Sequence, residues 1–320
     1  MRRRTFCRLT SAASLLGVAA EYRRPAGAQP LEKLRIVVIP TEIPVSMINA
    51  NAMGYFKDAG LDAEVIALSN GAAATAAVLA GSADVAFSNT MSLILAHDKG
   101  LPARIIVGTD LHRSTNPVQG ILAVLKSSPL RSGQDFNGKT LSVTAIGSTQ
   151  YYASRKWMDA NGGDSKTLRF VEMTTAAAVP AIVAGRVDGG TLDVLTLNEE
   201  LARADLREVA NVYNAIAPNF LSGAFFSTSD WIENHPDPVR RFIGVYERYS
   251  RWANSHPADE IRFYAKQSGF SPEALGAVPR AKFEPTLTLD SLQPVIDLAA
   301  RYGAIVTSFR AGDLLGRVHA

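Results

Sequence analysis

The sequence predicts an α/β protein built from two doubly wound lobes, and two observations support this. The first is a fragment that occurs twice. Residues 76–84 read Ala-Ala-Val-Leu-Ala-Gly-Ser-Ala-Asp, and residues 180–188, 104 positions later, read Pro-Ala-Ile-Val-Ala-Gly-Arg-Val-Asp. Each copy predicts a helix that ends at a glycine and leads into a strand. Residues 54–68 and 157–173, which precede the copies, are also alike. A chance recurrence of this common α/β pattern is the alternative interpretation.

The second observation is the alternation of strands and helices with short connections, which is typical of a parallel sheet. The apolar run 34–39 predicts a buried strand that Pro40 ends, and residues 41–46 predict a loop before a helix over 47–59. The rest of the first lobe is predicted as strand 63–68, helix 72–80, strand 84–87, helix 91–99 and strand 103–108.

The second lobe repeats this alternation. After a strand over 121–125, we predict strand 139–144, helix 149–161, strand 168–172, helix 176–184, strand 187–192, helix 196–203 and strand 208–214. The apolar run 220–226 leads back, and the chain after Asp230 is expected to be helical and to pack on the first lobe. Lobe 1 is thus predicted as 31–121 with 228–320, and lobe 2 as 122–227. The chain crosses near 119–124 and 222–228, which makes a two-strand hinge.

The first 28 residues are predicted to be an export signal rather than part of the fold. Arg2, Arg3 and Arg4 precede a short apolar stretch, and Ala26-Gly27-Ala28 is a small-x-small cleavage site. We expect cleavage after Ala28 and a periplasmic mature protein. Residues 3–6 read Arg-Arg-Thr-Phe and resemble a twin-arginine signal, so the general and twin-arginine routes both stay open.

Removal of this segment changes the charge of the chain. It takes away six of the 33 basic and one of the 30 acidic residues, leaving 27 and 29 and a net charge of −2. Nucleic-acid binding by a basic surface therefore loses its support. The only cysteine, Cys7, also leaves, which excludes disulfides, thiol nucleophiles and thiolate metal sites in the mature chain.

The sequence contains none of the common catalytic motifs, such as G-x-S-x-G, H-E-x-x-H, a phosphate loop or G-x-G-x-x-G. The five histidines are scattered along the chain. We therefore expect no catalytic residue, no metal site and no cofactor.

Four strands instead end in small polar residues that begin a helix. Helix N-termini present unpaired N–H groups, and ligands of open α/β sheets bind at the carboxyl ends of strands. These residues are candidate ligands for a small anion, although ordinary N-capping explains each one alone. They are Ser69, Asn70 and Gly71; Ser88, Asn89 and Thr90; Gly147, Ser148 and Thr149; and Thr174.

Three further residues lie beside these strand ends. Tyr152, in the first turn of a helix, could pack against a ligand. Thr41 and Glu42 occupy the first strand-to-helix loop. Glu42 is either solvated or faces the cleft, where it would favour a ligand with a hydrogen-bond donor or a cationic group.

Several motifs resemble solute-binding proteins of ABC importers for nitrate, sulfonates, taurine and thiamine precursors. They are residues 54–61, Gly-Tyr-Phe-Lys-Asp-Ala-Gly-Leu, together with 69–71, 79–87 and 135–140. The resemblance implies a type 2 periplasmic binding protein that captures a small-molecule organic anion and delivers it to an inner-membrane ABC permease. It also implies a monomer that does not bind nucleic acid, and it adds Thr191 and Asp193 to the pocket.

One departure concerns the ligand. Members of that family often carry Glu-Pro where this chain has Val194-Leu195, next to the acidic Asp193, which argues against a simple inorganic anion. A sulfonate, an aromatic carboxylate and a pyrimidine remain open. The alternatives to transport are an enzyme similar to thiamine-pyrimidine synthases, which the lack of cysteine disfavours, and a periplasmic ligand sensor.

Overall fold

Two five-stranded sheets organise the chain. The computed structural model describes residues 30–202, 205–283, 285 and 287–317, so the predicted signal peptide lies outside the described residues. The strands are β1 (Glu32–Val38), β2 (Leu61–Ala67), β3 (Val85–Asn89), β4 (Ala103–Arg113), β5 (Ile121–Leu125), β6 (Thr140–Val143), β7 (Arg169–Glu172), β8 (Gly189–Leu192), β9 (Leu206–Asn211) and β10 (Asn219–Thr228).

The two sheets have equivalent topologies. Their strand orders are β2-β1-β3-β10-β4 and β7-β6-β8-β5-β9. In each, the first three strands are parallel and the fourth runs antiparallel to the third. The predicted α/β class with two similar sheets is confirmed, and we call each sheet with its helices a lobe.

The repeated fragment has the same role in both lobes. The first copy of the fragment ends at Asp84. This aspartate accepts a hydrogen bond from the backbone N of Arg35 at 2.7 Å and pairs with the Arg35 guanidinium at 2.6 Å. Asp188, the equivalent residue, accepts from the backbone N of Thr140 at 2.8 Å and lies 3.4 Å from Lys139 Nζ. Each aspartate therefore binds the neighbouring parallel strand at the residue before the two strands begin to pair.

Twelve α-helices among the described residues cover the sheets. They are α1 (Glu42–Ala52), α2 (Tyr55–Asp58), α3 (Gly71–Leu79), α4 (Thr90–Asp98), α5 (Thr149–Ala160), α6 (Thr175–Val183), α7 (Val194–Ala202), α8 (Ser229–Asn234), α9 (Pro236–Ser255), α10 (Pro257–Ser268), α11 (Pro272–Gly276) and α12 (Leu289–Arg301). The helical segment after β10 packs on the first sheet, where the rings of Phe225 and Phe242 meet at 5.0 Å. No helix in the described part of the chain is both long and apolar enough to cross a membrane.

The first helix begins earlier than the sequence predicts. Residues 41–46 were expected to form a loop, but α1 starts at Glu42 after Thr41, whose backbone is extended. Pro44 lies in the first turn, where a missing N–H costs no hydrogen bond, so it does not prevent the helix. Glu42 therefore stands at the N-terminus of a helix.

The second crossing between the lobes lies before the predicted segment, whereas the first overlaps its predicted position. The segment predicted as the second crossing, 222–228, is part of β10 and pairs with β3 and β4 of the first sheet. The chain crosses over 114–120 and returns over 212–218, between the strands of the two sheets. The buried residues of β10 form a central strand of the first sheet. Apolar composition alone does not distinguish such a strand from a segment that connects two lobes.

The two crossings are held against each other. Val212 N donates to Gly120 O at 2.8 Å, and Asn211 Nδ2 donates to Gln119 O at 2.7 Å. Gly120 has φ +75°, and a Cβ there would lie 2.5 Å from the Tyr213 ring. Only glycine suits both the backbone conformation and this close approach.

Two histidines join consecutive helices after β10. The ring of His235 stacks on Trp231 at 4.8 Å, and that of His256 stacks on Trp252 at 5.3 Å. Each histidine directly precedes the proline that begins the next helix, α9 or α10. These histidines thus have a structural role at the helix junctions.

Candidate functional site

The polar residues at the strand ends are N-caps in this structure. At each of the four strand ends, one predicted residue accepts a hydrogen bond from a backbone N–H three residues later, which satisfies one of the free donors of its helix. The pairs are Asn70 with Ala73 at 2.9 Å, Asn89 with Ser92 at 2.9 Å, Ser148 with Tyr151 at 3.4 Å and Thr174 with Ala177 at 3.3 Å.

In the first lobe the structure brings Gly71, Ser88 and Asn89 together. A Cβ at Gly71 would lie 2.7 Å from Ser88 Oγ and 2.8 Å from Asn89 Nδ2. Ser88 is fully buried, and its hydroxyl donates to Gly71 O at 3.0 Å. Thr90 is also buried and donates to Leu221 O at 2.7 Å. These two hydroxyls are thus used within the protein, whereas Ser69 and Asn70 are exposed.

In the second lobe the loop between β6 and α5 is largely exposed, and Gly147 has φ +83°. Part of its backbone is already bonded, since Ile146 N donates to Glu172 Oε2 at 3.1 Å. Thr149 differs from its neighbours: it is 2% exposed, and its hydroxyl has no hydrogen-bond partner among the described residues. Buried hydroxyls without a hydrogen-bond partner are rare in folded proteins, which makes Thr149 the candidate of this loop to test.

Two further second-lobe candidates, Tyr152 and Thr191, are buried, whereas Thr174 is exposed. Tyr152 is 9% exposed and packs in the apolar core, beside Tyr151 at 4.8 Å. Thr191 is buried on β8, and its hydroxyl donates to Ser142 O at 3.5 Å. Thr174, at the start of α6, is exposed.

Glu42 is neither solvated nor free to face a ligand. Its side chain is 13% exposed, and Arg280 Nε donates to its Oε1 at 2.8 Å. The same guanidinium donates to Glu260 Oε2 at 2.8 Å. Burial raises the pKa of Glu42, and it raises the pKa of Glu260 to about 7, with the charge of Glu42 as the next cause. Two buried carboxylates thus share one cation.

Tyr264 of α10 connects Glu42 to the second lobe. Burial raises the pKa of its hydroxyl, and the charges of Glu42 and Asp193 raise it further. Asp193 Oδ1 accepts from Thr196 N at 2.9 Å and thereby caps α7. Tyr264, which is not among the predicted residues, packs with Val45 of α1 and with Leu195, two residues after Asp193.

Asp110 is a second missed residue, at the base of the hinge. It is 8% exposed and accepts a hydrogen bond from Gln119 Nε2 at 3.2 Å. Burial, above all, and the charge of Glu42 raise its pKa to about 6. It lines a cavity of about 20 Å³ with Ile43, Asn116 and other residues, enough for one water molecule. The sequence feature that could have pointed to Asp110 is a charged residue within the largely apolar segment that forms β4.

The described residues contain no group of three or more His, Cys, Asp or Glu side chains that could hold a metal ion. The site therefore consists of helix N-termini, hydroxyls, aromatic rings and a few buried charges. These groups can bind and orient a small polar molecule through hydrogen bonds.

A family model described as NMT1/THI5 like matches residues 45–260, more than half of the 320 residues. The chain belongs to the NMT1/THI5-like family. A search of curated protein sequences finds no match.

Solved structures show the same fold as this NMT1/THI5-like protein. The aliphatic sulphonate binding protein SsuA of Escherichia coli has a TM-score of 0.72 at 14% identity, covering 89% of this chain and 92% of SsuA. SsuA of Xanthomonas axonopodis pv. citri, an alkanesulfonate-binding protein bound to MOPS, has a TM-score of 0.72 at 17% identity, covering 88% and 97%. A Candida albicans protein with the generic periplasmic binding protein fold has a TM-score of 0.74 at 16% identity, covering 89% and 96%. The fold is therefore that of periplasmic binding proteins.

Proposed function

We propose that this protein is the solute-binding component of an ABC importer, which captures a small organic anion between its lobes and delivers it to a membrane permease. The main support is the placement of helix N-termini at equivalent strand ends of both sheets. These are the starts of α3 and α4 in the first lobe and of α5 and α6 in the second. Donors from two lobes can bind one anion without a lysine or arginine.

The ligand class stays within the three candidates of the sequence: a sulfonate, an aromatic carboxylate or a pyrimidine. Of the similar structures, one belongs to an aliphatic sulphonate binding protein and another is bound to MOPS, which favours testing sulfonates first. Asp110 and Asp193 favour a ligand that also carries a hydrogen-bond donor, since a carboxylate accepts hydrogen bonds. The candidate contacts are the residues proposed from the sequence except Glu42, which pairs with Arg280, and Ser88 and Thr90, whose hydroxyls are bonded within the protein.

The proposal assigns no catalytic step and no cofactor to the chain. The protein acts as a monomer that closes about the crossings 114–120 and 212–218. The ligand stabilises the closed arrangement only to the extent that it binds that arrangement more tightly.

We further propose that the mature protein is periplasmic and begins at Gln29. N-terminal sequencing of the protein from a periplasmic fraction tests this. An intact Met1 on protein recovered from the cytosol would exclude both the location and the role in import.

The ligand is best identified by native mass spectrometry of gently purified protein. A thermal-shift panel of an alkanesulfonate, an aromatic carboxylate and an aminopyrimidine then ranks the classes. A ligand at 100 times its Kd should stabilise the fold by about 2.7 kcal/mol. If no compound of the three classes shifts the melting temperature and no small molecule copurifies, the proposed function is wrong.

Gly147 gives a direct test of the anion contact in the second lobe. Gly147→Val should abolish binding of the identified compound, because a side chain would block the close approach of the backbone. The positive φ also adds strain, so a melting curve must accompany the calorimetry. Unchanged affinity in a folded variant would remove this loop from the site.

A further inference from the structure

A cavity of about 270 Å³ lies in the first lobe, where α9 and α10 face the segment 280–283. We call it the α10 cavity. None of the described residues that line it belongs to the second lobe, and only Asn116, in the first crossing, precedes β10. A cavity of this volume holds several water molecules or a small organic molecule.

The wall formed by segment 280–283 is held in place by two asparagines. Asn254 of α9 donates to Phe283 O at 2.6 Å and accepts from Phe283 N at 3.3 Å. Asn116 donates to Arg280 O at 3.1 Å. Both ends of the segment are therefore bonded to other parts of the chain, and these bonds shape the α10 cavity.

Two polar atoms on the lining side chains have no hydrogen-bond partner among the described residues. Arg280 bonds Glu42 through Nε and Glu260 through Nη2, which leaves Nη1 unpaired. Glu260 accepts at Oε2, which leaves Oε1 unpaired, and its side chain is 3% exposed. Unpaired buried polar atoms are rare, and here a donor and an acceptor occur on two side chains that bond each other and line one cavity.

The chemistry of the α10 cavity favours a neutral compound. The unpaired guanidinium nitrogen is a donor and the unpaired carboxylate oxygen an acceptor. Arg280 and Lys282 carry two positive charges, and the two carboxylates that bond Arg280 carry two negative ones. The apolar part of the wall consists of Ala253, Pro257, Ile261, Ala281 and Phe283.

We propose that the α10 cavity is a second small-molecule site, which takes a neutral compound with an apolar body and a primary amide or urea head. The carbonyl of the head accepts from Arg280 Nη1, and its N–H donates to Glu260 Oε1. Neither atom is accessible to water, so the ends of the two side chains rotate to turn these atoms into the cavity when the compound binds. The site does not rest on the proposed function, because the lining residues include none of those predicted to bind the anion.

Benzamide and acetophenone test this assignment. They share the ring and the carbonyl, but acetophenone has a methyl group in place of the amide nitrogen. Titrations followed by saturation-transfer NMR give the Kd of each compound for the whole protein. We expect benzamide to bind about tenfold more tightly or better, since acetophenone lacks the hydrogen bond to the carboxylate. Equal affinities, or no binding of benzamide at millimolar concentration, would overturn the proposal.

A substitution in the wall locates the bound benzamide. Ala281→Leu should abolish its binding, because the added atoms fill part of the cavity. Ala277→Leu is the matched control: it makes the same change four residues earlier, at an exposed position outside the cavity lining, and should leave the affinity unchanged. Benzamide that binds both variants equally well does not occupy the α10 cavity, and the proposal is then wrong.

Glu260→Gln tests the role of the carboxylate and decides the question if Ala281→Leu does not fold. It keeps the shape of the side chain and removes its charge. The affinity for benzamide should fall about tenfold, whereas that for acetophenone should stay the same. A melting curve confirms that the variant is folded. An unchanged affinity for benzamide in the folded variant would overturn the assigned contact.

Gly147→Val separates this site from the one in the proposed function. It alters the second lobe alone and should leave the binding of benzamide unchanged. A loss of benzamide binding in folded Gly147→Val would place the compound at the strand ends and refute a second site. If none of the three anion classes binds but benzamide does, the proposed function fails and the α10 cavity remains a binding site.

Discussion

Arg280 Nε donates a hydrogen bond to Glu42 Oε1 at 2.8 Å, joining residues 238 positions apart in the sequence. The same guanidinium reaches Glu260 of α10, whose side chain is 3% exposed. One cation therefore holds the N-terminus of α1 to α10 through two carboxylates. This arrangement fixes the surface of α1 and α10 against which Val194 and Leu195 of α7 pack.

Replacing Arg280 should destabilise the protein markedly. In Arg280→Lys a single ammonium replaces the planar fork that reaches both carboxylates, so one buried charge loses its partner. We expect a loss of about 2 kcal/mol or more in the free energy of unfolding, measured by urea titration. Arg248→Lys is the control: its pair with Asp58 is largely exposed and should contribute less than about 1 kcal/mol. Equal losses in the two variants would contradict the buried role of Arg280.

Asp110 should make the stability depend on pH. Its pKa is raised from 3.8 to about 6, so between these values the folded protein binds more protons than the unfolded chain. The free energy of unfolding must then fall as the pH rises through this window. Glu260, with its pKa raised from 4.5 to about 7, adds a slope of the same sign at slightly higher pH.

Asp110→Asn keeps the shape of the side chain and removes its charge. We expect a smaller decrease in melting temperature between pH 4 and pH 7 than in the parent protein, with the slope from Glu260 remaining. Asp58→Asn, at the surface, serves as the control for a general loss of negative charge. A slope that Asp110→Asn leaves unchanged would show that the carboxyl of Asp110 titrates normally.

Replacing Thr149 should raise the stability of the fold and lower its affinity for the ligand. In Thr149→Val a methyl group replaces the buried, unpaired hydroxyl at almost constant shape, so we expect a gain of about 1 kcal/mol in stability. If the hydroxyl serves the ligand, the affinity for the identified compound should fall about tenfold. Ser148→Ala should do the opposite, costing about 0.5–2 kcal/mol of stability through loss of the N-cap. Calorimetry and melting curves on both variants decide between the roles.

Asp84 and Asp188 should contribute unequally to the free energy of unfolding, although they make equivalent contacts. Asp84 is 11% exposed and Asp188 is 34% exposed, so the Asp84 hydrogen bonds are less screened by water. We expect Asp84→Asn to cost about 1–2 kcal/mol and Asp188→Asn clearly less, as measured by chemical denaturation. The reverse order would mean that burial does not control these two contacts.

Local patterns predicted most of the architecture. The N-cap before each repeat and the strand after it are set by neighbouring residues, which is why the α/β class and the two similar sheets follow from the sequence. The errors occur where local signals conflict. Residues 41–46 were predicted as a loop, although Pro44 fits the first turn of α1, and the apolar run of β10 was interpreted as the return to the first lobe rather than as a central strand.

The charged part of the site could not be predicted in the same way. Glu42 was recognised as a candidate, but its partner Arg280 lies far along the chain, and only the packing of α10 and α11 brings the two together. Glu260 resembled an ordinary acidic residue in the first turn of a helix, since such residues favour that position anyway. Asp110 was detectable as a charge within an apolar strand but had no local partner to indicate its role.

The position of β10 also has a consequence during synthesis. It inserts between β3 and β4, yet about 100 residues separate it from the end of β4. At about 5–20 residues per second, the ribosome needs on the order of 5–20 s to make them. Throughout that time the facing edges of two buried strands have no neighbour, and open edges of this kind pair readily with other chains. The first sheet therefore cannot be completed, nor these two edges covered, until Thr228 at the end of β10 has been synthesised.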